Sequence, residues 1–248
     1  MNINTDINVL GSLPDWYLIK YYYEAKYENQ TGKEETHLKT KKSIRRFKSA
    51  IEGTFIAFKN EKTKILFDTL IKNEGLSKDF LYFLFWNTSI NNDLFHAINT
   101  NVYFKALYNG RAALRNDEVS SYLQELKSIE SQLQKWTQNT INITASKYLT
   151  LLKKFGLLEG KQTKSILHPF LNDKMFIIFI YWLIAIAERS NLLNSEWLKY
   201  GFMETELFLE RLKKKSFSDF FNIYYTGDNL KIEPKIEYEK LYEIIIRN

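Results

Sequence analysis

Asp117-Glu-Val-Ser-Ser-Tyr-Leu-Gln-Glu-Leu-Lys-Ser-Ile-Glu-Ser-Gln-Leu133, a joint at Trp136-Thr-Gln-Asn139, Thr140-Ile-Asn-Ile-Thr-Ala-Ser-Lys-Tyr-Leu-Thr-Leu-Leu-Lys-Lys-Phe155, and Gly156-Leu-Leu-Glu-Gly-Lys-Gln-Thr-Lys-Ser-Ile-Leu167 form one stretch whose reading decides the fold. In its first part Val119, Tyr122, Leu123, Leu126, Ile129 and Leu133 recur with the period of an amphipathic helix, and Asp117-Glu118 favour the positive end of its dipole. Asn139 is the expected N-cap of a second helix, which places Ala145, Tyr148, Leu149, Leu152 and Phe155 on one face. Gly156 stops that helix. The residues to Leu167 are extended in character, with a turn near Gly160-Lys161. Helix, short turn, helix, glycine stop and small hairpin is the order of a winged helix-turn-helix.

That order assigns chemistry to the outward side chains. Lys147, Thr150, Leu151 and Lys154 are expected opposite the core stripe, Asn142, Thr144 and Ser146 in the N-terminal turn, and Lys161, Gln162 and Lys164 on the hairpin. Lysines there contact phosphates and fix register without reading sequence. Asn142, Thr144 and Ser146 stand nearest the base edges or the sugar-phosphate backbone. These polar groups are short, so strong sequence specificity is not expected. The competing reading is an amphipathic helix with a solvated basic face.

Toward the C-terminus, Met175-Phe-Ile-Ile-Phe-Ile-Tyr-Trp-Leu-Ile-Ala-Ile-Ala187 is unbroken apolar or aromatic sequence between Asp173-Lys174 and Glu188-Arg189. A spanning helix needs about 20 apolar residues, so this is read as a central buried helix, and a membrane role is the lesser reading. Helices are expected over 194–200, 204–215 and 238–247. Phe220-Phe-Asn-Ile-Tyr-Tyr225 and Leu230-Lys-Ile-Glu233 read as a hairpin. Arg211, Lys213, Lys214 and Lys215 end a helix, where cations suit the dipole.

Toward the N-terminus, a helix ends at Asn109-Gly110, Asn87–Asn92 reads as a polar break, and helices are expected over 61–73 and 78–86. A basic amphipathic helix is expected from about Glu35 to Lys59, crowded in its first half by Lys39, Lys41, Lys42, Arg45, Arg46 and Lys48. This block is a second candidate phosphate-contacting surface, against the ordinary reading of a charge run as a solvated face. A Tyr-rich helix lies before it, and its tyrosines are taken as core or interface. Three parts are expected: a helical subdomain over 1–110, a winged-helix-like segment over 111–170, and a C-terminal helical subdomain with a hairpin over 171–248, packed as one compact unit.

Composition fits a mainly α fold, a multi-helix bundle with one or two small β-hairpins. The chain has 248 residues, with only 9 glycines and 3 prolines to break helices. It has no cysteine, which excludes disulfides, thiol nucleophiles and cysteine-bound metals and suits a cytoplasmic setting. Its net charge of +6 points to an anionic partner. His37, His96 and His168 fall in no metal-ligand spacing. Gly156-x-x-x-Gly160-Lys161 lacks the four-residue gap of a phosphate loop. Asp228 with Glu233 and Lys235 is the faintest of nuclease patterns, with Asp228 in the turn itself. No catalytic residue, metal, cofactor or small-molecule substrate is assigned.

From about Leu66 onward the chain resembles the BrxA family of BREX bacteriophage-defence systems, once labelled a putative inner-membrane protein. The resemblance rests on Phe80-Leu-Tyr-Phe-Leu-Phe-Trp-Asn-Thr-Ser89, the long helix ending at Trp136, the Thr140–Phe155 helix with Gly156-Leu-Leu158, and the tail Tyr225-Thr-Gly-Asp-Asn229 and Leu230-Lys-Ile-Glu-Pro234. Order and spacing carry it over about two-thirds of the chain, while the N-terminal part to about Glu61 lies outside it. It implies a nearly all-helical, non-enzymatic protein that binds double-stranded DNA beside larger enzymes of the same system, its membrane label an artefact of the apolar helix. Two other functions stay open: a scaffold gripping other subunits of the system, and an RNA-binding, antitermination-like protein.

Overall fold

A computed structural model describes residues 3–28, 40–188 and 190–247. In chain order the helices and strands are α1 (Ile7–Leu10), α2 (Tyr17–Tyr27), α3 (Lys41–Ala50), α4 (Glu61–Glu74), α5 (Lys78–Asn91), α6 (Asp93–Ile98), α7 (Phe104–Tyr108), β1 (Ala113–Leu114), α8 (Asn116–Ile129), α9 (Gln138–Lys154), β2 (Leu158–Glu159), β3 (Lys164–Ile166), α10 (Asp173–Ile186), α11 (Thr205–Leu212), β4 (Phe221–Tyr225), β5 (Leu230–Pro234) and α12 (Leu241–Arg247). Wider π-turns continue α3 over Ile51–Phe55 and join α6 to α7 over Asn99–Tyr103. The fold is mainly α with two small antiparallel sheets. Two compact units form, each drawn from separate stretches: residues 1–57 with 84–168, and residues 58–83 with 169–248.

The first unit is organised around the inner end of α9. The Phe155 ring lies 5.5 Å from Trp16, 6.2 Å from Phe55, 5.7 Å from Phe85 and 6.1 Å from Phe95. Four separate segments thus meet on one side chain, and much of the chain's aromatic content goes into this tilted, edge-to-face cluster. At its other end α9 is capped by Thr137, whose hydroxyl accepts from the Thr140 amide at 3.2 Å; the expected cap, Asn139, is already inside the helix. Gly156 closes the helix at φ +74°. There the Leu157 amide returns to the Leu152 carbonyl and the Gly156 amide to that of Lys153, both at 3.0 Å, a left-handed closure that glycine adopts without Cβ strain.

The region expected to break at Asn87–Asn92 is instead the last turn and a half of α5 and is largely buried. Its amides serve backbone elsewhere. Asn87 Nδ2 donates to the Phe55 and Ala57 carbonyls at 2.8 and 2.9 Å, and Asn91 Nδ2 to those of Thr54 and Ala57 at 3.0 and 2.7 Å. These are carbonyls left unpaired where the π-turn ends, and buried acceptors need partners. A polar run was thus internal capping for a neighbouring segment.

In the second unit α10 is buried nearly all round, as its unbroken apolar sequence requires. Its 14 residues rise only about 21 Å at 1.5 Å each, short of the roughly 30 Å of a bilayer core. Among the described residues no helix is long and apolar enough to cross a membrane. Asn172 caps it, accepting from the Met175 amide at 2.8 Å. Midway along, the Tyr181 hydroxyl donates to the Ile236 carbonyl at 3.0 Å, and Tyr238 donates to the Tyr181 carbonyl at 2.9 Å. Burial holds both phenols neutral, that of Tyr181 pushed up to about 12. The β4–β5 hairpin pairs Phe221 with Pro234 through Tyr225 with Leu230, where the sequence predicts a hairpin.

Candidate nucleic-acid interface

Helices α8 and α9 pack against each other across a joint held by Lys127, whose ammonium donates to the Trp136 carbonyl at 2.7 Å. The hairpin β2–β3 follows Gly156. Its inner strand also pairs with β1, Ala113 opposite Ser165 and Leu114 opposite Lys164, giving the sheet order β1-β3-β2. The sequence reading missed β1. At two residues it carries no periodic signal, and only its pairing reveals it. Just beyond it, Glu118 accepts from the Arg115 amide at 2.8 Å and pairs with Arg111, whose hydrogen bond holds the carboxyl below the usual range.

The N-terminal turns of α9 are open to solvent. Asn142 is exposed; its Oδ1 accepts from Gln138 at 2.9 Å and from Ser120 at 3.4 Å, which aligns the side chain and leaves Nδ2 as the available donor. Ser146 is exposed on the same stripe. Thr144 is not part of this surface. It is fully buried, and its hydroxyl donates back to the Thr140 carbonyl at 2.9 Å. The expectation failed because a threonine can satisfy its hydroxyl within the helix and so enter the core. Thr150 does the same with the Ser146 carbonyl at 2.8 Å, while staying half-buried.

The face expected to carry Lys147, Leu151 and Lys154 outward is covered. Short helix α1 packs on it, and Gly11 comes so close that an added Cβ would stand 2.5 Å from the Lys147 carbonyl oxygen. Leu151 is fully buried. The Lys154 ammonium donates to the Leu13 carbonyl, and burial, aided by the Lys147 charge, holds its pKa below the usual lysine value. Residues at 147, 151 and 154 share one stripe of a helix, so a single N-terminal segment takes them all.

The hairpin lysines divide. Lys164 is half-buried, its ammonium donating to the Gly160 and Lys161 carbonyls at 3.2 and 2.6 Å, and Lys153 adds a third bond to the same turn, to Gly160 at 3.0 Å. These cations neutralise the exposed carbonyls of the turn. Burial and the Lys153 charge lower the Lys164 pKa. Lys161, at the tip, is exposed and its side chain makes no hydrogen bond or ion pair among the described residues, and Gln162 is exposed beside it.

Helix α3 is the opposite case. Thr40 caps it, accepting from the Ser43 amide at 3.2 Å. Lys41, Lys42, Arg45 and Arg46 are all exposed and form no ion pair among the described residues, whereas Lys48 has the carboxylate of Glu52 at 3.9 Å. The helix is shorter than expected, its apolar register passing into the π-turn at Ile51. Lys39 and the expected start near Glu35 lie outside the described residues. Helix α1 packs on α3 as well as on α9, so one short segment ties both basic elements into the same unit.

Among known families, the one described as BrxA matches residues 59–180, from just before α4 into α10. No curated protein and no solved structure matches the chain.

Proposed function

We propose that the chain, whose residues 59–180 match the BrxA family, is a component of a BREX phage-defence system and the non-catalytic subunit that holds double-stranded DNA. Its contacts are the cations of α3, namely Lys41, Lys42, Arg45 and Arg46, with Asn142, Ser146 and Lys161 of the α9–hairpin region. The observation that carries this reading is the set of four exposed cations on α3 that have no carboxylate partner among the described residues. Two of them, Lys41 and Lys42, sit in the first turn, where the helix dipole opposes positive charge; a phosphate there would relieve that opposition. The β1, α8, α9, β2, β3 order supports the reading, since it is the element order of a winged helix-turn-helix. Other BREX subunits are the natural protein partners.

Duplex binding followed by fluorescence anisotropy at about 50 and 200 mM salt tests this. The wild-type chain is compared with the Lys41→Gln, Lys42→Gln, Arg45→Gln, Arg46→Gln variant, whose exposed positions leave the core intact. Salt-sensitive binding lost in the variant supports the proposal. Absence of duplex binding in the wild type favours the scaffold reading, and preference for RNA over the same duplex favours the antitermination-like one.

A further inference from the structure

A groove in the second unit has no part in the nucleic-acid reading. It forms where Pro169–Leu171, leading into α10, meets Phe202 and Met203 and one face of α11, and it encloses about 540 Å³, within the size range of ligand sites. Phe170 and Leu207 line it and are 73% and 56% exposed. Single exposed apolar side chains need no explanation; two large ones lining one concavity do.

Arg211 gives this apolar groove a charged wall. Its side chain is only 9% exposed, its guanidinium carbon lying 4.3 Å from the ring centre of Phe176 and 5.0 Å from that of Phe170. Nη2 donates to Asp173 Oδ1 at 2.7 Å. Nε and Nη1 are buried and have no acceptor among the described residues. A carboxylate that is itself 55% exposed therefore uses one nitrogen of three, and buried donors of a charged group left unpaired are costly. Lys214 stands at the rim, 4.0 Å from the same carboxylate.

We propose that this groove binds a peptide segment of a partner protein, one that sets an aromatic or aliphatic side chain against Phe170 and Leu207 and a carboxylate against Arg211 and Lys214. The two unsatisfied nitrogens supply charge-assisted hydrogen bonds, the stronger kind. Glu210, also on the wall, accepts from the segment's backbone N–H. The exposed Phe170 ring, stacked over the guanidinium, swings aside to admit the carboxylate and closes on the apolar side chain. The inference stands whether or not the chain binds DNA.

The chain carries three methionines, and Met203 lines the groove while Met175 is fully buried in α10. Labelling their methyl groups with ¹³C gives a reporter and an internal control. N-acetyl-L-phenylalanine and its amide, which lacks the carboxylate, serve as probes. The expected result is a saturable shift of the Met203 methyl with the acid, several-fold weaker binding of the amide, and an unmoved Met175. Arg211→Gln should erase the difference between the probes, and Leu207→Asp, at an exposed position that folding does not need, should remove the binding of both. Should Arg211→Gln fail to fold, Leu207→Asp and Lys214→Gln carry the test. No saturable shift at Met203, or equal affinity for the acid and the amide, overturns the proposal. Tighter binding of dodecanoate than of the amino acid overturns the peptide assignment in favour of an acyl-chain ligand.

Discussion

Two basic regions of the first unit look alike as sequence and differ in what their charges do. Around α9 and its hairpin, Lys153 and Lys164 neutralise the carbonyls of a tight turn and Lys154 donates to the N-terminal segment. On α3, four cations stand exposed with no carboxylate among the described residues. The first group has already spent its hydrogen bonds on the fold. The second stands exposed, with no such bond among the described residues. A count of lysines cannot separate these cases, but the partner of each ammonium does.

The comparison breaks most visibly if both groups are tested for salt sensitivity. If α3 makes the four phosphate contacts proposed, they should account for about 100-fold of the loss in duplex affinity between about 50 and 200 mM salt. Replacing Lys41, Lys42, Arg45 and Arg46 by glutamine should therefore lower the slope of log affinity against log salt by up to about 3.6. Replacing Lys153 and Lys164 by alanine should leave the slope nearly unchanged and loosen the hairpin instead, read as faster amide exchange near Gly160. Equal slope changes in the two variants would abolish the distinction.

The next largest effect concerns the cover over α9. A side chain at Gly11 collides with the Lys147 carbonyl, which is backbone and cannot swing away. Gly11→Val should destabilise the first unit by about 1–3 kcal/mol, the usual cost of overpacking, measured by urea denaturation, with new proteolytic cleavage before α2. If α1 is a loose arm, neither change occurs.

Where the chain's own pattern decided the outcome, it was legible. The apolar run of α10, the stripe of α9 from Ala145 to Phe155, the glycine stop at 156 and the hairpin of β4 and β5 each follow from one local rule, and each stands where that rule puts it. The candidate site was read less well because its features depend on distant partners. Asn87 and Asn91 look like a loop until the carbonyls of Thr54, Phe55 and Ala57 arrive beside them. Lys154 looks solvated until Leu13 covers it. Thr144 looks polar, yet its own helix satisfies it. The cover by α1 rests on four residues and a close-packed glycine, a signal too short for any periodicity.

Lys154 offers a finer test of the same contrast. Its pKa in the fold is lowered by burial first and by the Lys147 charge second, so the charged form is disfavoured there. Between that lowered value and the usual lysine value the unfolded chain holds more protons than the folded one, and stability should rise with pH through that window. Lys154→Met keeps the packed stem and removes the buried charge. It should stabilise the protein at neutral pH by less than about 1 kcal/mol and flatten the alkaline rise, in thermal melts followed from neutral to alkaline pH. A loss of more than about 1 kcal/mol would mean that the bond to Leu13 outweighs the cost of burial.

The smallest effects separate neighbours on one helix. Asn142 is exposed with its Nδ2 as an available donor, whereas Thr144, two residues on, is buried in the core. Asn142→Ala should weaken duplex binding by roughly 0.5–1.5 kcal/mol, the net worth of one hydrogen bond, at unchanged salt slope because no charge is lost. Thr144→Val should leave binding untouched and alter stability by about 1 kcal/mol or less, since its hydroxyl only duplicates a carbonyl's helical partner. The two readouts therefore cross: one substitution moves affinity alone and the other stability alone. A fall in affinity with Thr144→Val at unchanged stability would mean that α9 turns on binding, bringing a buried face to the duplex.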